Sequence, residues 1–148
     1  MFTRANADPE GHEINRRMEA YVARHPDRCA IRASLGIERY LGAMRNALAV
    51  VGNSSSGLLE APAMGVPSVD IGERQAGRVR PLSVIHCAPT TDAIGDALRR
   101  AIDPEFRAGL TDLDNPYEAD FLPSKAIAEI LWTAPLSDLL AKRFHDLS

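Results

Sequence analysis

The sequence predicts an α/β fold, a doubly wound parallel sheet with helices on both faces. Three observations carry this. Short apolar, strand-like segments alternate with amphipathic stretches along the chain. Those stretches run about ten residues, the length of a crossover helix between parallel strands. Residues 48–51, Leu-Ala-Val-Val, are apolar without interruption, as in a strand buried on both faces.

The elements follow in order. Residues 13–24 carry Ile14, Met18, Tyr21 and Val22 on one helical face, and His25-Pro26 stops the helix, because the residue before proline avoids helical backbone. A short strand is expected at 30–33. A second amphipathic helix spans 37–47, with Ile37, Tyr40, Leu41 and Met44 on one side, and the apolar strand 48–51 follows it. Residues 52–56 break the run, and 58–64 read as a short helix despite Pro62. Gly65-Val66-Pro67 turns the chain into a strand at 68–71. The basic, glycine-containing stretch 72–81 is a loop, and 83–87 is another strand. Thr91 or Asp92 caps a helix at 93–102 whose inner side is Ile94, Ala97, Leu98 and Ala101. Ser124 caps a helix through Trp132, and Pro135 opens a last one with Leu136, Leu139, Leu140 and Phe144 inward.

At 148 residues the chain has the length of one domain, expected over 1–148. With 45% apolar and 25% charged residues it has the composition of a soluble globule. The net charge of −3 gives no basic surplus to draw in nucleic acid, which disfavours that class of partner. The longest apolar run falls far short of the roughly 18 residues a membrane span needs. Cys29 and Cys87 form neither a metal spacing nor a disulfide framework. Both lie in strand-like segments, so free thiols in a reducing cytoplasm are expected.

The most informative stretch is 50–60, Val-Val-Gly-Asn-Ser-Ser-Ser-Gly-Leu-Leu-Glu. A strand runs into a small-residue loop that opens a helix, leaving up to four backbone N–H groups at the positive end of the helix dipole. Ser54, Ser55 and Ser56 add uncharged donors, and Gly52 and Gly57 let a bulky anion approach, so phosphate is the natural guest. A serine-rich cap that merely ends the loop is the alternative, and it explains one serine rather than three. Neither the GxxxxGK[ST] nor the GxGxxG spacing is present. Glu60, one turn beyond Ser56, is either an acceptor for a ribose diol or a first-turn glutamate favoured by the dipole. Arg74, Arg78 and Arg80 crowd the loop at 72–81, where one of them, Arg74 foremost, can neutralise a diphosphate. The alternative is surface ion pairing, favoured for Arg80, with Glu73 the acid in view. Tyr40 reads as a core residue, with a nucleobase platform as the minor reading. His86 reads as a satisfied strand histidine; His12, His25, His86 and His145 share no ligand-like spacing. Asn6 and Asp8 form a turn that is either a substrate edge or a plain cap.

GNSSSGLLEAP, GVPSVDIGERQAGR and SVIHC together resemble the C-terminal domain of the hydrolysing UDP-N-acetylglucosamine 2-epimerases of sialic- and legionaminic-type pathways. FTRANADPEGHEIN, SLGIERYL, DNPY and PLSDLLAKRFHDL extend the resemblance over nearly the whole chain. It implies a Rossmann-like lobe of a glycosyltransferase-B-like enzyme that eliminates UDP from the sugar and adds water at C1 with inversion at C2. No metal and no redox cofactor are implied. Carried over, Ser54, Ser55, Ser56 and Gly57 hold the diphosphate, Glu60 takes the ribose, and Leu35 and Tyr40 border the uracil. Arg74 is the catalytic residue facing the phosphates, Arg78 joins the binding set, and Asn6 lines the cleft. Glu118-Ala119-Asp120 stands where the family has Gly-Asp-Gly after its Asn-Pro-Tyr, and Ala5 where it has proline.

The resemblance also implies that a catalytic first lobe with proton-transferring carboxylates precedes Met1. With it would come the first strand and helix of the second lobe, so the isolated chain is expected to be inactive. The expected partners are a UDP-sugar, that missing lobe and a second copy. A glycosyltransferase lobe and a non-catalytic UDP-binding module are the competing readings.

Overall fold

Strand and helix alternate as the patterning predicts, and every ladder between strands is parallel. The computed structural model describes residues 1–5, 11–110, 115–118 and 121–135. The chain divides into two compact units, Met1–Leu113 and Asp114–Ser148.

The first unit begins with β1 (Phe2–Thr3), α1 (Gly11–Arg24) and β2 (Ile31–Arg32), with β1 and β2 paired in parallel. The helix ends at Arg24, before His25-Pro26, as the proline rule requires. Near its start Glu13 receives Arg16 and Arg17 at 2.7 Å each, and those hydrogen bonds hold its carboxyl down to about 2. Then come α2 (Gly36–Arg45), β3 (Val50–Gly52), α3 (Ser56–Ala63) and β4 (Ser68–Ile71). A single 3-10 turn at Glu73–Gln75 interrupts the next loop before β5 (Val84–Cys87), α4 (Thr91–Ile102) and α5 (Pro104–Ala108).

β3, β4 and β5 form a three-stranded sheet in that order, with Val51 opposite Val69 and Asp70 opposite His86. Its faces carry separate cores, as double winding demands. On one face Val69, Ile85 and Cys87 meet Ala97 and Ala101 of α4. On the other, Met44 of α2 meets Ala61 and Val66, with Tyr40 and Val50 packed beside them. Burying this apolar surface at about 25 cal/mol per Å² is what holds the helices to the sheet. Gly72 ends β4 at φ 72°, a backbone region that L side chains rarely adopt, and its N–H reaches the Cys87 carbonyl at 2.9 Å.

Several expectations change. The 48–51 run is not buried on both faces: Leu48 is 64% and Val51 45% exposed. Leu48 precedes β3, and β3 is an edge strand of its sheet: the Val50 N–H donates to Pro67 O at 2.9 Å, and no described strand covers the other edge. The predicted inner face of α1 is only half covered: Met18 and Val22 are partly buried, whereas Ile14 is 47% and Tyr21 40% exposed. The cap of α4 is Thr90, whose Oγ1 accepts from the Ala93 N–H, not Thr91 or Asp92. Cys29 lies outside β2. Pattern reading omits α5, which Asp103 caps by accepting from the Phe106 N–H at 2.9 Å, with Pro104 next to it.

In the second unit, Asn115 accepts from the Glu118 N–H at 2.9 Å in a turn, and α6 spans Pro123–Thr133. Leu122 rather than Ser124 precedes α6, with Pro123 at its first turn. The last predicted helix, beyond Pro135, and His145 lie outside the described residues.

Candidate functional site

β3 delivers Gly52 to its carboxyl end, the loop at 53–55 turns, and α3 starts at Ser56. This strand–loop–helix junction opens onto a cleft of about 910 Å³ between the two sheets. Ser54, Ser55, Ser56, Glu60 and Arg74 are among its polar lining, and Leu35 and Tyr40 also border it. Ile14, Met18 and Val51 give it an apolar stretch.

Donor accounting narrows the anion cup. The Gly57 N–H donates to Ser54 O at 3.1 Å, and the Leu58 and Leu59 N–H groups to Ser55 O at 2.9 Å. The Ser56 N–H leans on Ser54 Oγ at 3.4 Å, and the Ser56 and Tyr40 hydroxyls share a hydrogen bond of 2.8 Å. Among the described residues, what stays open is the amides of Ser54 and Ser55, the Ser55 hydroxyl, and the proton of the Ser54 hydroxyl, whose oxygen already accepts from Ser56. Ser55 occupies the cap position, yet its side chain makes no capping bond. A hydroxyl present only to end the loop would be spent there. Gly57 is buried, and a Cβ on it would lie 3.5 Å from Ser68, whose hydroxyl donates to the Gly57 carbonyl at 2.6 Å. A Cβ contact at 3.5 Å is ordinary, and the Gly57 amide is already spent on the Ser54 carbonyl.

Glu60, in the second turn of α3, lines the cleft, and its Oε2 is buried without a hydrogen-bond partner. A carboxylate oxygen in that state costs free energy until a donor arrives. Arg74 sits in the 3-10 turn after β4 and extends Nη1 to Asn53 Oδ1 at 3.4 Å, which ties it to the start of the loop at 53–55. Gln75 beside it is buried and donates Nε2 to the Asn53 carbonyl at 2.7 Å. Sequence reasoning passed over Asn53 and Gln75; their only signal was a polar pair flanking residues already singled out.

The remaining candidates separate. Leu35 and Tyr40 both border the cleft, and Tyr40 also packs against the Met44–Ala61–Val66 core, so its two readings coexist. Arg78 is exposed and absent from the cleft lining. Arg80 is turned away as well, but into a partly buried ion pair with Asp70 at 3.0 Å rather than a surface pair with Glu73. His86 lies between Asp70 and Glu73, 3.3 Å from each. Burial, then the nearby Asp70 charge, pushes the Cys87 thiol up from its ordinary value. Asn6 lies outside the described residues. Among the described residues no cluster of three metal-ligating side chains occurs, and no helix is long and apolar enough to cross a membrane.

The family model for UDP-N-acetylglucosamine 2-epimerase matches residues 1–131. The chain belongs to that family. It is 35% identical over 147 residues to the GDP/UDP-N,N'-diacetylbacillosamine 2-epimerase (hydrolyzing) of Campylobacter jejuni, covering 99% of this chain and 38% of that protein. It is 34% identical over 139 residues to the UDP-N,N'-diacetylbacillosamine 2-epimerase (hydrolyzing) of Legionella pneumophila, with 93% and 35% covered. Over 117 residues it is 34% identical to the polysialic acid biosynthesis protein P7 of Escherichia coli, with 79% and 29% covered. The chain thus spans less than two fifths of the length of these relatives. It matches their C-terminal region, and its parallel α/β architecture is that of a C-terminal lobe of the glycosyltransferase-B-like type. In this lobe the serine loop, Glu60 and Arg74 line one cleft.

Proposed function

We propose that this chain is the nucleotide-holding lobe of a hydrolysing UDP-sugar 2-epimerase, acting in sialic-acid-type sugar synthesis. The open amides and hydroxyls of Ser54 and Ser55 take the diphosphate. Ser56 and Gly57 shape the loop that presents them, Glu60 accepts from the ribose hydroxyls, and Leu35 and Tyr40 border the base. Arg74 neutralises charge on the diphosphate. Asn6 is proposed to reach the same cleft, and Arg78 serves only as a more distant positive charge. The observation that carries this reading is the buried, unpartnered Oε2 of Glu60, which shares one cleft with Ser54, Ser55 and Arg74.

The geometry suits one half of the reaction. When the sugar C1–O bond breaks, its electron pair leaves with UDP, and negative charge grows on the diphosphate as the C2 proton passes to a base. Fixed amides and a guanidinium aimed at that charge lower the barrier. Water then adds to the glycal at C1 while a proton returns to the opposite face of C2. Those proton transfers need positioned acids and bases. Glu60 is the one carboxylate in the described lining, and it is assigned to the ribose. We assign the proton-transferring groups to the rest of the enzyme, since the chain spans less than two fifths of its relatives, and the 148-residue chain alone binds without turnover.

Calorimetry with the full chain tests this. UDP binds, and Glu60→Ala weakens UDP about tenfold while leaving 2′,3′-dideoxy-UDP unchanged, because a charged hydrogen bond to an absent hydroxyl has nothing to lose. Equal weakening of both ligands refutes the ribose role. Absence of UDP binding by the wild-type chain refutes the nucleotide site, and sugar turnover by the chain alone refutes the division of labour.

A further inference from the structure

Asp70 is 2% exposed in the middle of a parallel sheet, a costly place for a carboxylate. Its Oδ2 accepts from Arg80 Nε at 3.0 Å and meets His86 Nδ1 at 3.3 Å, while Oδ1 is buried without a partner. The other ring nitrogen of His86 reaches Glu73 Oε1 at 3.3 Å. These contacts lie at both ends of one loop. Arg80 stands where the chain returns toward β5, and Glu73 directly precedes Arg74 where it leaves β4. The 3-10 turn itself has a further tie, the Gln75 bond to the Asn53 carbonyl.

We propose that Asp70 is a positioning residue for the diphosphate: through Arg80 on one limb and His86–Glu73 on the other, it holds the loop at 72–81 so that Arg74 stays in the cleft that Ser54 and Ser55 line, beside Asn53. This rests on the nucleotide site described above and adds to it the residue that fixes the cationic side. Asp70 does not line the cleft. Its neighbours explain the arrangement. Ser68, two residues earlier on the same face of β4, is spent on the Gly57 carbonyl. One face of one strand therefore sets both walls of the site, the α3 side through Ser68 and the arginine side through Asp70.

The test uses the full chain with UDP and with uridine. Asp70→Asn keeps shape and removes charge, and it weakens UDP about tenfold, the size of one charge-assisted hydrogen bond, while uridine binding holds. In an Arg74→Ala background the same substitution has no further effect on UDP, because the group it positions is gone. Arg80→Lys, which keeps the charge but loses the Nε donor, reproduces the UDP-selective loss and serves if Asp70→Asn does not fold. Equal weakening of UDP and uridine, or additivity with Arg74→Ala, overturns the proposal and leaves a purely structural ion pair. Amide hydrogen exchange at 73–77 reads the anchoring without ligand. Faster exchange in Asp70→Asn supports the anchor even if UDP does not bind. Unchanged exchange overturns it even if Glu60→Ala behaves as a ribose contact should.

Discussion

The hydroxyl of Tyr40 and the hydroxyl of Ser56 lie 2.8 Å apart and tie α2 to the first turn of α3. This bond reaches from the rim of the cleft into the core, since the Tyr40 ring packs on Met44, Ala61 and Val66. It also removes one of the three serine hydroxyls from the set open to a ligand. Tyr40→Phe and Ser56→Ala should each lower stability by about 1 kcal/mol, the net worth of a partly buried hydrogen bond. The double variant should lose clearly less than the sum of the two, and thermal melts of the four proteins measure this. Strict additivity would show that the two hydroxyls do not depend on each other.

Gly57 separates packing from binding. A Cβ there meets Ser68 only at 3.5 Å, an ordinary contact, and the residue is helical. Gly57→Ala should therefore stabilise the fold by about 0.4–1 kcal/mol through the lost freedom of the unfolded chain. Because the Gly57 amide already donates to Ser54, UDP affinity should hold. A stable variant that no longer binds UDP would place the diphosphate against Gly57 itself.

Much of this architecture was legible because local signals agreed with one another. Residues 68–71 sit between a Gly-Val-Pro turn and Gly72, and the observed strand has those bounds. The capping residue of α4 was missed by one position because Thr90, Thr91 and Asp92 are consecutive candidates. Only the extended backbone of Thr90, at φ −118° and ψ 150°, decides among them. The serine loop and Glu60 were visible as a strand–loop–helix junction, but the fate of each amide was not. Whether a helix-start N–H faces a ligand or a preceding carbonyl depends on turn geometry that the serines do not dictate. Asp70 escaped notice for a different reason. Its partners Arg80 and His86 reach it across a loop and a parallel ladder, and such pairings leave no periodic trace. The exposure of Val51 was hidden too, since an apolar run reports a preference for burial and not the neighbour that supplies it.

The two cysteines should differ sharply in reactivity. Cys87 ends β5, is 8% exposed, and packs with Val69 and Ala97, whereas Cys29 is only partly covered. Burial and the Asp70 charge both disfavour the Cys87 thiolate, the form that reacts. A thiol reagent at neutral pH should label Cys29 quickly and Cys87 only after unfolding. The same shift has a pH signature. A thiol whose folded value is raised above its unfolded value of 9.0 stabilises the fold fully below that pH, and the contribution is lost as pH rises through the folded value. Urea melts at pH 8 and pH 10 should therefore show an alkaline loss in the wild-type chain that is smaller in Cys87→Ala. An equal loss in both proteins would mean that Cys87 does not titrate with unfolding, and rapid labelling of Cys87 in the folded chain would mean that β5 is not covered by α4 as described.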